Sequence, residues 1–146
     1  MARILVVDDE PDIVEVITFT LETKGHEVIS ARDGADGLVK VKNEAPELII
    51  LDVMMPKMNG MQVVDYLRNK EEFSHIPIIM LTATTQFSRR PDEEWRKKVG
   101  VEDYISKPFE PLDLIDRVDK VLQENFRKKY DGHGRFRLGG KPKKED

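Results

Sequence analysis

The chain contains no cysteine. It therefore has no disulfide framework, no thiolate metal site and no thiol nucleophile. No apolar run approaches the roughly 20 residues that a membrane-spanning helix needs, and the first residues lead straight into an apolar strand without the layout of a signal peptide. We therefore expect a cytoplasmic protein. The 146 residues are 39% hydrophobic and 36% charged, which is typical of one soluble domain with a charged surface.

The charge is unevenly distributed along the chain. Residues 125–146 contain eight basic and three acidic residues, a net charge of +5, so the total of −4 leaves −9 on residues 1–124. The last segment is also rich in glycine, which argues against regular structure. We predict a domain at 1–124 and a basic, flexible tail at 125–146. The tail is either simply solvated or a docking segment for an acidic partner, nucleic acid or anionic lipid.

Apolar runs alternate with helical patterns. Ile4–Val7 and Leu48–Leu51 are continuous apolar runs, which is typical of strands buried on both faces. Further strands are predicted at Glu27–Ser30, Ile76–Leu81 and Asp103–Ser106. Helices are predicted from Pro11, after Asp33, around Met61–Leu67, near Pro91 and from Pro111. Their predicted apolar positions include Ile13, Val16, Ile17 and Leu21, then Ala35, Leu38 and Val39, and finally Leu112, Ile115, Val118 and Leu122. This alternation predicts an α/β fold, a parallel sheet with helices on both faces.

Polar residues follow the apolar strands at their carboxyl ends. Asp8 and Asp9 follow the first strand, Asp52 the third, Thr82 the fourth and Lys107 the fifth. These ends share one edge of a parallel sheet, where ligands bind in such folds. Neighbouring carboxylates repel one another unless a cation lies among them, and Mg²⁺ prefers such oxygen ligands.

This set of residues suggests phosphoryl transfer. One carboxylate would attack phosphorus to form an acyl phosphate, while the metal and Lys107 offset charge on the transferred oxygens. Thr82 could donate a hydrogen bond to the product. Taken alone, Asp8 and Asp9 could equally be helix-capping acids.

Four sequence blocks resemble the receiver domain of two-component response regulators. They are Val6–Pro11, Leu51–Pro56, Leu81–Ala83 and Asp103–Phe109. They occur in the family's order over residues 2–124. The resemblance implies a flavodoxin-like, doubly wound five-stranded sheet of order 2-1-3-4-5 in an αβα sandwich.

The resemblance also implies a role for each site residue. Asp52 would be the phosphoacceptor, and Mg²⁺ would be held by Asp8, Asp9, Asp52 and the backbone carbonyl of Met54. Thr82, Ala83 and Lys107 would bind the phosphoryl group, and the Lys107–Pro108 peptide bond would be cis. Tyr104 would be the aromatic partner of Thr82 in a two-state switch.

The chain departs from the family pattern between Thr82 and Lys107, where the spacing is a few residues too long. Residues Gln86–Pro91 also break helical continuity, because proline disfavours helix in the residue before it. We predict a long loop after the fourth strand and a shortened helix starting near Pro91. This change puts the family's usual dimer geometry in doubt.

The resemblance implies a stand-alone, phosphorylation-activated switch rather than an enzyme. Its partners would be a sensor histidine kinase or phosphotransfer protein, a downstream target and, in some states, a second copy. One alternative is a Mg²⁺-dependent phosphohydrolase, but Val53 and Met54 follow Asp52 where such an enzyme needs a general acid. The other is nucleic-acid binding through the tail, which lacks a reading helix or an aromatic and basic platform, so we expect weak binding at most.

Overall fold

The computed structural model describes residues 1–83 and 100–129. Within these ranges the chain forms five strands and four helices. They are β1 (Arg3–Val7), α1 (Pro11–Glu22), β2 (Glu27–Ala31), α2 (Gly34–Glu44), β3 (Leu48–Asp52), α3 (Gly60–Arg68), β4 (Ile78–Ala83), β5 (Asp103–Lys107) and α4 (Pro111–Lys129). The predicted loop after the fourth strand and the helix near Pro91 lie outside the described residues.

The strands form one parallel sheet in the order β2-β1-β3-β4-β5, as predicted. Side chains alternate between its faces, so each apolar strand supplies two core layers. Leu5 and Val7 pack with α2 and α3, whereas Ile4 and Val6 pack with α1 and α4. The three-layer αβα architecture therefore follows from strands that are apolar at consecutive positions.

The helix boundaries follow local signals that the sequence contains. Pro11 occupies the first turn of α1, and the Asp33 side chain accepts a hydrogen bond from the backbone N–H of Asp36 at the start of α2. Gly25, predicted to end the first helix, has a φ of 84°. The helix starts predicted at Pro11, after Asp33 and at Pro111 are confirmed.

Several apolar positions predicted for the helices are exposed, Val16 of α1 among them. In α4 the buried residues are Leu114, Val118 and Val121, whereas Leu112 is 73% exposed. Leu112 precedes Leu114 by two residues, which places it on nearly the opposite side of the helix. In α2, Val39 is 51% exposed and the helix packs through Gly34, Gly37 and Val41. Gly37 lies against Val7, where a Cβ atom would come within 3.1 Å of a methyl group.

Helix α4 continues through Lys129. The predicted boundary between domain and tail at residues 124 and 125 therefore falls inside a helix, and the first five residues of the predicted tail are helical. The remainder of the tail lies outside the described residues.

Candidate functional site

The strand register brings the predicted site residues to one edge of the sheet. Val7 pairs with Leu51, so Asp8 and Asp52 follow at the same level on adjacent strands. Ala83 pairs with Lys107 at the end of the next strand pair. Of the predicted residues, the structure places Asp8, Asp52 and Lys107 in direct contact.

Asp52 is a buried carboxylate at the last position of β3, with 2% of its surface exposed. The backbone N–H of Met54 donates to its Oδ1 at 3.4 Å, and the Lys107 ammonium lies 3.4 Å from its Oδ2. Burial raises the pKa of Asp52 to about 6, the charge of Asp8 adds to this, and Lys107 opposes it. The carboxylate is thus largely ionised at neutral pH but poorly solvated.

Asp8 is completely buried beside it. Its Oδ1 accepts a hydrogen bond from the backbone N–H of Glu10 at 2.9 Å. Its Oδ2 accepts no hydrogen bond from the described residues, although the Lys107 ammonium makes an ion-pair contact at 3.0 Å. Burial raises the pKa of Asp8, against the effects of the Glu10 N–H and Lys107. Two buried carboxylates that share one ammonium can accommodate a further cation.

The Lys107 side chain reaches the site from the end of β5. Its ammonium lies 2.9 Å from Glu10 Oε1 in addition to its contacts with Asp8 and Asp52. Burial lowers the pKa of Lys107, but its hydrogen bond to Glu10 and its ion-pair contacts with Asp8 and Asp52 outweigh burial and leave the pKa above its usual value. Lys107 is therefore a fixed positive charge.

Glu10 is the site residue that sequence reasoning missed. Among the described residues, the carboxylates of Asp8, Glu10 and Asp52 lie within 4.8 Å of one another and could hold a metal ion. Asp9, predicted as a ligand, is exposed and outside this group, so its metal role stays a prediction. Glu10 adjoins the predicted acids in sequence, but no local pattern shows that it reaches Lys107, which is 97 residues away.

The three carboxylates and one ammonium leave the site with a net negative charge. All the candidate ligands are oxygen atoms, and one of them, Asp8 Oδ2, is buried without a hydrogen-bond partner in the described structure. This donor set fits a hard dication such as Mg²⁺, which binds a few carboxylates and keeps several waters. Met54 follows Asp52 by two residues in the loop after β3, with its side chain 60% exposed.

Thr82 and Tyr104 lie on neighbouring strands. Thr82 is 2% exposed and Tyr104 is half-buried. Met80 pairs with Tyr104, and Thr82 is two residues further along β4, so the two side chains emerge on the same face of the sheet. Tyr104 packs against the core between the sheet and helices α2 and α3. Ala83 ends β4, and the Lys107–Pro108 peptide bond is cis, which confirms that prediction.

A doubly wound parallel sheet, with acids at the ends of its first and third strands and a lysine at the end of its fifth, is a flavodoxin-like α/β fold with its candidate site at the carboxyl ends of the strands. The chain matches the model of the response regulator receiver domain over residues 4–119. It belongs to the response regulator receiver family of two-component signalling.

The relatives match similar shares of this chain, but the matched region is a different share of each relative's own length. The chain is 38% identical over 122 residues to protein PilH of Pseudomonas aeruginosa, covering 84% of this chain and 98% of PilH. It is 42% identical over 127 residues to the alkaline phosphatase synthesis transcriptional regulatory protein PhoP of Bacillus subtilis, again over 84% of this chain but 49% of PhoP. The chain thus spans about half the length of several curated relatives and nearly all of PilH.

Solved structures show the same fold. Chemotaxis protein CheY4 of Vibrio cholerae superposes with a TM-score of 0.73 at 34% identity, over 83% of this chain and 98% of CheY4. A response regulator of Chloroflexus aurantiacus gives a TM-score of 0.76 at 30% identity, over 84% and 98%. The predicted fold and family are therefore confirmed. No helix in the described ranges is both long and apolar enough to cross a bilayer.

Proposed function

We propose that the chain is a cytoplasmic phosphoryl-accepting switch whose acceptor is Asp52. The observation that carries this proposal is the buried Asp52 carboxylate, 3.4 Å from the Lys107 ammonium and beside the buried Asp8. A sensor histidine kinase or phosphotransfer protein would supply the phosphoryl group, and a small acyl phosphate could replace it in vitro.

In the proposed reaction an oxygen of the Asp52 carboxylate attacks phosphorus and forms an acyl phosphate. The bond from phosphorus to the donor's nitrogen or oxygen breaks, and the donor leaves with that electron pair. Lys107 would bind one phosphoryl oxygen, while Thr82 and the backbone of Ala83 would donate to the others. Bound Mg²⁺ would offset the negative charge of the transferring oxygens, held by Asp8, Asp52, the Met54 carbonyl and Asp9 directly or through water.

The phosphorylated state would differ from the resting state by the position of two side chains. We propose that the Thr82 hydroxyl moves toward the phosphoryl group and that Tyr104 packs into the space it leaves, because both lie on one face of adjacent strands. A new charged group that contacts one state better than the other shifts the equilibrium between them. The target protein, or a second copy of the chain, would read this change.

The decisive experiment is phosphorylation by a small acyl phosphate with Mg²⁺, followed by intact-mass measurement. We expect one phosphoryl group on the unmodified chain and none on Asp52→Asn. Asp12→Asn, which removes an exposed acid at the start of α1, is the matched control and should label normally. Equal labelling of Asp52→Asn would refute the assignment, and sustained turnover of a phosphate ester would favour the phosphohydrolase alternative.

A further inference from the structure

The Lys107 ammonium has three carboxylate neighbours that differ in exposure. Its Nζ lies 2.9 Å from Glu10 Oε1, 3.0 Å from Asp8 Oδ2 and 3.4 Å from Asp52 Oδ2. The side chains of Asp8 and Asp52 are 0% and 3% exposed, whereas that of Glu10 is 59% exposed. Glu10 is therefore the solvent-side partner of an otherwise buried charge cluster.

The two buried partners of Lys107 are the carboxylates proposed to hold magnesium. Asp8 Oδ2 touches Lys107 and has no hydrogen-bond partner in the described parts of the chain. A dication and an ammonium repel each other strongly at such distances, particularly away from bulk water. Sharing this oxygen is therefore costly, so metal binding favours withdrawal of the ammonium from Asp8 and Asp52.

Glu10 is placed to receive the withdrawn ammonium. Its backbone is fixed at the start of α1, where its N–H bonds to Asp8 and its carbonyl accepts from the N–H groups of Ile13 and Val14. Its side chain, by contrast, lies toward solvent, so it can follow the ammonium without leaving a buried charge uncompensated.

We propose that Glu10 is a positioning residue that holds Lys107 when magnesium takes the oxygens of Asp8 and Asp52. This inference rests on the proposed magnesium site and adds a residue that the site prediction did not include. Glu10 acts through Lys107: it keeps the ammonium paired and within reach of the acceptor. Removing the Glu10 carboxylate therefore weakens magnesium binding, because the ammonium then remains with the buried acids and competes with the metal.

The test is a double-mutant cycle on Mg²⁺ affinity, measured by calorimetry without any phosphoryl donor. The chains are the unmodified protein, Glu10→Gln, Lys107→Met and the double variant. We expect Glu10→Gln to weaken Mg²⁺ binding about fivefold and Lys107→Met to strengthen it about tenfold. In the Lys107→Met background, Glu10→Gln should change the affinity less than about twofold, because no ammonium remains to be held.

Asp12→Asn controls for the loss of one nearby negative charge, and its effect on Mg²⁺ affinity should stay below about twofold. A fivefold loss that persists in the Lys107→Met background would overturn the proposal and make Glu10 a direct metal ligand. An unchanged affinity of Glu10→Gln would also overturn it. If Lys107→Met does not fold, Lys107→Gln takes its place in the cycle.

A second readout separates this inference from the proposed function. Urea unfolding of the same four chains in EDTA measures the coupling between Glu10 and Lys107 without metal, and we expect a favourable coupling. Absence of coupling would overturn the Glu10 proposal even if the unmodified chain binds Mg²⁺ and is phosphorylated. Failure of the unmodified chain to bind Mg²⁺, with the coupling intact, would instead overturn the proposed metal site and with it the role of Glu10 in metal binding.

Discussion

At the scale of single residues, the site buries two carboxylates whose negative charge is only partly compensated by Lys107. Asp8 and Asp52 are buried side by side, and both pKa values are raised chiefly by burial. Lys107 compensates one negative charge, but three carboxylates surround it. The fold therefore carries an electrostatic cost at this edge in the metal-free state, which a bound cation would relieve.

This cost predicts how Asp52→Asn changes stability. The raised pKa, about 6 against an ordinary 3.8, means that the folded chain holds the Asp52 proton more tightly than the unfolded chain does. The stabilising effect of that proton is complete below pH 3.8 and is lost as pH rises through 6. In EDTA at pH 7.5, Asp52→Asn should therefore raise the free energy of unfolding by about 3 kcal/mol.

Urea denaturation between pH 4 and pH 8 checks this prediction. The advantage of Asp52→Asn should shrink as pH falls through about 6 and disappear near the ordinary carboxyl pKa. Glu71→Gln, at an exposed acid in the loop after α3, should show no such trend. A variant that is less stable than the unmodified chain at pH 7.5 would contradict the pKa assignment.

At the scale of elements, the start of α3 supports the backbone of the strand that ends at Asp52. Asn59 and Gln62 form a reciprocal capping box, with bonds of 3.0 and 2.9 Å. The N–H of Gly60 donates to the Val53 carbonyl at 2.8 Å, directly after Asp52. A Cβ atom on Gly60 would collide with the backbone carbonyl oxygen of Asp52. The loop between β3 and α3 therefore requires glycine here for close approach.

Gly60→Ala should thus impair both stability and labelling. We expect a loss of about 1–3 kcal/mol in the free energy of unfolding, because the backbone of Asp52 or the helix must move. The rate of phosphorylation by an acyl phosphate should fall about tenfold or more, because the acceptor oxygen is displaced. Denaturation and time-resolved labelling measure the two effects.

Gly25→Ala is the matched control for this substitution. Gly25 has a φ of 84° and no atom within 4 Å of a Cβ, so alanine there introduces only backbone strain. It should cost about 1 kcal/mol and leave the labelling rate unchanged. Normal labelling of Gly60→Ala would show that the clash is relieved without moving Asp52.

At the scale of the whole molecule, the two edges of the sheet differ in their chemistry. The acidic site lies at the carboxyl edge, and Arg68 makes several hydrogen bonds at the other edge. Its guanidinium donates to the carbonyls of Gly100, Ser74 and Ile76 and to the Glu102 carboxylate. The last turn of α4 carries three consecutive basic residues.

Two truncations test where the folded unit ends. A chain ending at Lys129 should keep its free energy of unfolding within about 0.5 kcal/mol, because every described element is retained. A chain ending at Glu124 loses the last turn of α4 and the basic side chains that favour a helix C-terminus, so it should lose about 1–2 kcal/mol. Both should be phosphorylated normally, because the site lies at the opposite edge.

Thermal or urea unfolding measures the stability of both truncated chains, and labelling with an acyl phosphate measures their phosphorylation. Equal stabilities would support the boundary predicted between residues 124 and 125. A large loss for the chain ending at Lys129 would show that residues 130–146 contribute to the folded unit.

The sequence by itself determined the alternation of strands and helices, because apolar runs and helix-start residues act locally. Pro11, Asp33 and Gly25 mark helix ends through their own backbone or side-chain preferences. Leu48–Leu51 is buried on both faces because it offers no polar side chain to either. The family's motifs then assigned the strand order and named Asp8, Asp52 and Lys107 correctly as neighbours.

Only the tertiary structure decided which side chains meet across the sheet. Glu10 contacts Lys107 from 97 residues away, and Leu112 is exposed because Leu114 occupies the face toward the sheet. Such facts depend on strand register and on the rotation of a helix about its axis, which are set by packing between distant elements. The sequence thus placed Asp52 at the end of a buried strand, and the fold supplied the charges that surround it.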